Sequence, residues 1–146
     1  MAMDLAQTPD AETDGKKLRA PRVLRVATDF SGVDMPIFAL QRLVGTQKLR
    51  HVFSSDIQPY CRRFIEIIHK PDMCYADIAA RDVQATQDCH VYIWGPPCQS
   101  FSIGGKRRGA KDERGVLSKF SLAYIAYHKP RLTIMEPATC ALETNS

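Results

Sequence analysis

His90-Val91-Tyr92-Ile93-Trp94-Gly95-Pro96-Pro97-Cys98-Gln99-Ser100-Phe101-Ser102 is the stretch on which the reading of this chain turns. Its first five residues are a short apolar run closed by a Gly-Pro-Pro turn, the pattern of a strand buried on both faces of a parallel sheet. Open parallel sheets hold their ligands at the carboxyl ends of the strands, and that is where this turn carries Cys98. Two successive prolines fix two φ angles and remove two backbone donors, so the turn is stiff. A cysteine that merely fills a core needs no such mounting, whereas a thiol held still against a substrate does. Cys98 is therefore a candidate nucleophile, and Gln99 and Ser100 beyond it offer hydrogen bonds.

Downstream, Gly104-Gly105-Lys106-Arg107-Arg108-Gly109-Ala110-Lys111-Asp112-Glu113-Arg114-Gly115 carries five cations and two anions, a local net charge of +3 in a chain whose total is only +4. A basic loop beside a nucleophile suits a polyanionic substrate. The remaining composition is ordinary: 146 residues, 45% apolar and 25% charged, enough for one core and no more. No run reaches the roughly eighteen apolar residues of a membrane helix. The first twenty residues lack an apolar stretch and carry Asp4, Asp10, Glu12 and Asp14, so they read as a disordered tail rather than an export signal. Cys61, Cys74, Cys89, Cys98 and Cys140 form no C-x-x-C pair and show no zinc-ligand spacing. Reduced thiols, an intracellular location and no metal are the expectation.

Upstream, Val23–Ala27 reads as a first strand, followed by Thr28-Asp29-Phe30-Ser31-Gly32-Val33-Asp34 and a helix from Pro36 with Ile37, Leu40 and Val44 on one face. A strand, a glycine turn and a helix in that order present backbone amides to a cofactor. His51–Ser55 is a second strand ending in Asp56-Ile57, and an acidic residue there is placed to accept hydrogen bonds from ribose hydroxyls. The helix from Pro59 carries Cys61, Phe64, Ile65 and Ile68 at core spacing. Met73-Cys74-Tyr75 reads as a third strand leading to Asp77-Ile78, where Asp77 either caps the next turn or meets a ligand. Beyond the basic loop, Phe120, Ala123, Tyr124 and Tyr127 mark a helix, and Arg131–Met135 a last strand that ends at Glu136. Successive strand ends thus bring the glycine turn, Asp56, Asp77, Cys98 and Glu136 to one edge of a parallel sheet.

The order of residues from Gly95 to Gly115 resembles motif IV and the mobile catalytic loop of the cytosine-5 DNA methyltransferases, and the resemblance extends over roughly Leu24 to Ala138. It implies an α/β, Rossmann-like S-adenosylmethionine-dependent fold, mostly parallel, with helices on both faces. In the family the first turn usually reads F-x-G-x-G-G. Here Phe30 and Gly32 match, and Asp34 and Met35 stand at the later glycines, so Asp34 either caps the helix or meets the cofactor's ammonium group. The resemblance makes Asp77 an acceptor for the adenine amino group, puts Ile57 and Ile78 on either side of the ring, and adds Pro97 to the cofactor contacts. It makes double-stranded DNA the partner, with Gln99, Ser102, Lys106, Arg107, Arg108 and Arg114 as its contacts.

The chemistry implied is attack of the Cys98 thiolate on C6 of a flipped cytosine, protonated Glu136 near N3, and methyl transfer to C5. Glu136 then needs a raised pKa, which burial in the cleft would supply. The family's Glu-Asn-Val motif reads Glu136-Pro137-Ala138 here, and nothing resembling the family's later Arg-x-Arg strand, recognition domain or terminal helix is present. Residues 21–146 therefore read as a C-terminally truncated catalytic domain. A tRNA cytosine-5 methyltransferase and an inactive cofactor- or nucleic-acid-binding remnant are the alternatives.

Overall fold

A computed structural model describes residues 23–96 and 113–136. Five strands, β1 (Leu24–Asp29), β2 (Leu49–Ser55), β3 (Met73–Tyr75), β4 (Val91–Trp94) and β5 (Leu132–Met135), alternate with helices α1 (Met35–Val44), α2 (Pro59–Ile68) and α3 (Glu113–His128). Every strand pairing is parallel, in the order β3-β2-β1-β4-β5. The chain works outward from β1 to β3, then crosses back to place β4 against the other side of β1. That reversal makes the β1/β4 boundary the topological switch point, where doubly wound sheets open a crevice.

The two faces of the sheet are covered differently. On one, α1 closes over Val26, Val91 and Ile93 through Ile37, with Leu40 at the margin. On the other, α3 inserts Tyr124 among Phe53, Tyr92, Ala27 and Trp94. The rings of Tyr92 and Tyr124 lie 4.7 Å apart and those of Phe53 and Tyr124 5.3 Å apart. This separation favours tilted and edge-to-face packing, worth about 0.5–1.5 kcal/mol per pair beyond simple burial.

The third strand falls where the sequence predicts it, and the other strands differ by one or two residues at their ends. The first strand runs two residues past Ala27 because Thr28 and Asp29, polar but buried, find partners inside the sheet. The helix faces are corrected more. On α2 the buried line is Cys61, Ile65 and then His69, leaving Phe64 and Ile68 at the surface. On α3 it is Ser121 and Tyr124, with Ala123 and Tyr127 exposed. In both, the polar residues Ser121 and His69 take interior positions that an apolar count passes over. No helix among the described residues is long and apolar enough to cross a membrane. The expected tail over residues 1–20 lies outside the described residues.

Candidate active site

The glycine turn after β1 is built from left-handed backbone. Phe30, Gly32 and Asp34 all have positive φ, at 57°, 55° and 59°. Only glycine adopts this region freely, and for a bulky residue such as phenylalanine it costs about 1–2 kcal/mol. The turn is held in place by hydrogen bonds to β2. Ser31 N–H donates to the Ser55 carbonyl at 3.0 Å, and Gly32 N–H donates to the Asp56 carboxylate at 2.8 Å. Asp56 also accepts the Gln58 amide at 2.8 Å, so each of its oxygens holds one backbone donor and retains lone-pair capacity.

Asp34 does not cap α1. Its side chain makes no capping hydrogen bond, and it turns inward beneath the turn to accept from Thr28 at 2.8 Å and Ser54 at 2.7 Å. His51 Nε2 lies 3.3 Å from the same carboxylate without hydrogen-bond alignment. Of the two roles open to Asp34, capping is thus excluded. Its left-handed conformation also explains why this position takes glycine in the family that the turn resembles; aspartate is one of the few side chains tolerated there.

A cavity of about 280 Å³ opens at the carboxyl ends of β1 to β4, close to the lower end of the roughly 300–1,000 Å³ of small-molecule sites. Phe30, Asp56, Ile57, Asp77, Ile78 and Gly95 line it. Of the two isoleucines, Ile57 is 69% exposed and Ile78 is buried. Asp77 caps the short turn Ile78–Ala80 by accepting the Ala79 amide on Oδ1 at 2.8 Å. The capping role is therefore observed, and it leaves Oδ2 for a ligand. Leu117 of α3 also lines the cavity and was not anticipated; extending the α3 periodicity one turn upstream from Ser121 reaches it.

A smaller recess of about 50 Å³ adjoins, shared by Phe30 and Gly95 and bounded by Glu136. β4 and β5 end side by side, with Glu136 N–H donating to the Trp94 carbonyl at 3.0 Å. A Cβ placed on Gly95 would lie 3.5 Å from the Glu136 carbonyl oxygen, so the start of the Gly-Pro-Pro turn and Glu136 are immediate neighbours. The burial expected of Glu136 is not observed. Glu136 is exposed, and β5 is the edge strand of the sheet among the described residues. Pro97, Cys98, Gln99, Ser102, Lys106, Arg107 and Arg108 lie outside the described residues, and Arg114 belongs to the first turn of α3 with its side chain likewise outside.

The cysteines that are described behave as core groups. Burial, above all, raises the thiols of Cys89 and Cys74 to about 11, and burial raises that of Cys61. None is a thiolate near neutral pH, the state a nucleophile requires.

Comparison with known proteins agrees with this geometry. The sequence profile of the C-5 cytosine-specific DNA methylases matches residues 30–143. The type II methyltransferase M.DsaV of Dactylococcopsis salina is 36% identical over 108 residues, covering 73% of this chain and 29% of that protein. The orphan methyltransferase M.SPRI of Bacillus phage SPR is 30% identical over 115 residues, 77% of this chain and 26% of that protein. The chain thus spans under a third of the length of these relatives. In fold, it is similar to the crystal structure of the S. pombe Dnmt2 methyltransferase, with a TM-score of 0.53 over 70% of this chain and 32% of that one at 23% identity. A profile match that starts at the left-handed Phe30 and runs through the cleft, the Gly-Pro-Pro turn and Glu136 leaves one assignment: the chain belongs to the C-5 cytosine-specific DNA methylase family.

Proposed function

We propose that this chain forms the part of a cytosine-5 DNA methyltransferase that holds S-adenosylmethionine and presents the attacking thiol. The observation that supports this most is the position of Gly95, at the head of the Pro-Pro-Cys turn, which lines the cavity on one hand and neighbours Glu136 on the other. The cavity suits a nucleoside. It offers apolar walls in Phe30, Ile57, Ile78 and Leu117, and free carboxylate capacity in Asp56 for ribose hydroxyls and in Asp77 for an adenine amino group. Bound there, S-adenosylmethionine supplies an electrophilic methyl group.

The protein's own residues make cytosine ready for it. C5 is a poor nucleophile until a thiolate adds to C6, so Cys98 forms a bond to C6 while Glu136 stands toward N3, where the charge develops. After C5 is methylated, loss of the C5 proton and departure of Cys98 restore the aromatic ring and the free thiol. The target base must leave the duplex to reach Cys98, which costs roughly a few kcal/mol. Phosphate contacts from Lys106, Arg107, Arg108 and Arg114, with Gln99 and Ser102 beside the base, offset that cost.

A duplex containing 5-fluorocytosine, which blocks loss of the C5 substituent, should become covalently attached to the protein at Cys98 in the presence of S-adenosylmethionine. Cys89 and Cys74, held as thiols, should stay unlabelled. Trapping that survives Cys98→Ser would remove Cys98 from the mechanism. For the cofactor, Asp56→Ala should weaken S-adenosylmethionine binding by about 1–3 kcal/mol, the usual loss of a hydrogen bond to a charged group. Unchanged affinity by calorimetry would confine Asp56 to holding Gly32.

A further inference from the structure

One buried group has no part in the mechanism above. Arg81 follows the Ile78–Ala80 turn and is 6% exposed, with its guanidinium directed into the protein. Its Nη1 and Nη2 donate to the two oxygens of Asp29 at 2.7 and 2.8 Å, a bidentate pair. Ser55 Oγ donates to the same carboxylate at 2.6 Å, and Tyr92 completes it through its hydroxyl. The guanidinium carbon stands 4.7, 5.4 and 5.5 Å from the ring centres of Phe53, Tyr75 and Tyr124. A single arginine therefore touches groups from β1, β2, β3 and α3, and meets Tyr92 of β4 through the shared carboxylate.

The position of this pair connects two walls of the cleft. On one side, the turn before Arg81 is stiff: Asp77 accepts Ala79 N–H through its carboxylate at 2.8 Å and Ala80 N–H through its carbonyl at 3.3 Å. Wherever the guanidinium is fixed, Ile78 and Asp77 follow. On the other side, Asp29 immediately precedes the left-handed Phe30, and its carbonyl accepts Gly95 N–H at 3.3 Å. Wherever that carboxylate is fixed, the glycine turn and the start of the Pro-Pro-Cys turn follow. Buried ion pairs are poor stabilisers, since apolar replacements of the same volume are often as stable, so stability alone gives little reason for such a pair. A bidentate fork does impose geometry, which lysine cannot reproduce.

We propose that Arg81 is a positioning residue: through Asp29 it locks the Asp77–Ile78 wall of the cleft to the strand ends that carry Phe30 and Gly95. The role in cofactor binding rests on the function proposed above, but the locking itself does not. Native-state hydrogen exchange of the 146-residue protein separates the two. In wild type, the amides of Ala79, Ala80 and Gly95 should open together, with one shared free energy of opening. In Arg81→Lys those three should exchange at least tenfold faster, while Val26 and Ala27 in the middle of β1 change less than twofold. Calorimetry should then show S-adenosylmethionine bound about five- to tenfold more weakly by the folded variant.

A merely structural Arg81 predicts uniform acceleration across the sheet and unchanged affinity of the folded fraction, and either result overturns the proposal. If wild type binds no S-adenosylmethionine, the function proposed above fails, and selective acceleration at Ala79, Ala80 and Gly95 still supports the lock. Should Arg81→Lys fail to fold, Asp29→Asn keeps the shape and loses the second charged acceptor, and the wild-type measurement needs no substitution. Separate opening of Ala79–Ala80 and Gly95 in wild type overturns the proposal by itself.

Discussion

Asp29 and Asp34 are two buried carboxylates five residues apart, at 1% and 0% exposure, and the protein treats them in opposite ways. Asp29 faces α3, carries a bidentate arginine and two hydroxyls, and has both oxygens satisfied. Asp34 lies beneath the glycine turn near α1, has only hydroxyl donors and a misaligned histidine, and leaves Oδ1 without a hydrogen bond among the described residues. The first is a joint between elements distant in sequence. The second fills a backbone position that wants glycine. Equal burial therefore does not mean equal importance; what matters is which groups are stranded when the carboxylate goes.

The largest effect should come from Asp29→Ala. It leaves the Arg81 guanidinium buried with no counter-charge, and removing one partner of a buried pair typically costs 3–5 kcal/mol. In wild type the Asp29 hydrogen bonds and charge more than offset the burial that opposes the charge on Arg81; without Asp29 only the burial remains, and a guanidinium, always protonated in proteins, cannot escape it by losing its proton. Urea denaturation should show the midpoint falling steeply. A loss below about 1 kcal/mol would mean that water enters and solvates Arg81, and the contrast between the two carboxylates would collapse.

Asp34→Gly should do far less, within about 1 kcal/mol of wild type. Thr28 and Ser54 lose an acceptor worth about 0.5–1.5 kcal/mol each in net terms, yet their hydroxyls remain 2.9 Å apart and Ser54 keeps Ser31 at 2.7 Å. Against that, glycine relieves the cost of φ 59°. The same denaturation experiment compares the two variants directly, and a cost for Asp34→Gly approaching that of Asp29→Ala would show that His51 and Asp34 form a true ion pair.

This contrast was only half legible in the sequence. Strand ends and the glycine turn could be read because parallel strands buried on both faces are runs of apolar residues that stop at turn formers, as Val91–Trp94 stops at Gly95. Asp56 and Asp77 could be read because a carboxylate at a strand end has a local role, whether as a cap or toward a ligand. Arg81 could not. It sits in the polar stretch between β3 and β4, and its partner Asp29 is 52 residues earlier, a separation that no periodicity encodes. The inward turn of Asp34 was equally hidden, because it depends on Thr28 and Ser54 facing each other across paired strands. Glu136 was legible as a strand end, but the order of strands that puts β5 beside β4 was not.

The smallest expected effect lies at the opposite end of the strands, and it must be known before acid unfolding is used to compare Asp29 with Asp34. His90 opens β4 with its Nδ1 accepting the Arg25 backbone N–H at 3.0 Å, which requires an unprotonated nitrogen. Burial, and then the positive charges of Arg25 and Arg131, lower its pKa below the usual 6.5. The folded state therefore binds a proton less readily than the unfolded chain. Its contribution to stability is whole above pH 6.5 and declines as the pH falls from there through the folded-state value. Between pH 7 and 5 the wild-type unfolding midpoint should fall modestly, and His90→Gln, which can offer a side-chain oxygen to Arg25 without titrating, should flatten that segment of the curve. Because His90 is only half-buried, solvent screening keeps the effect small beside that of Asp29→Ala. A slope between pH 7 and 5 that persists in His90→Gln would move its origin to the other histidines, with His51 beside Asp34 the first to test.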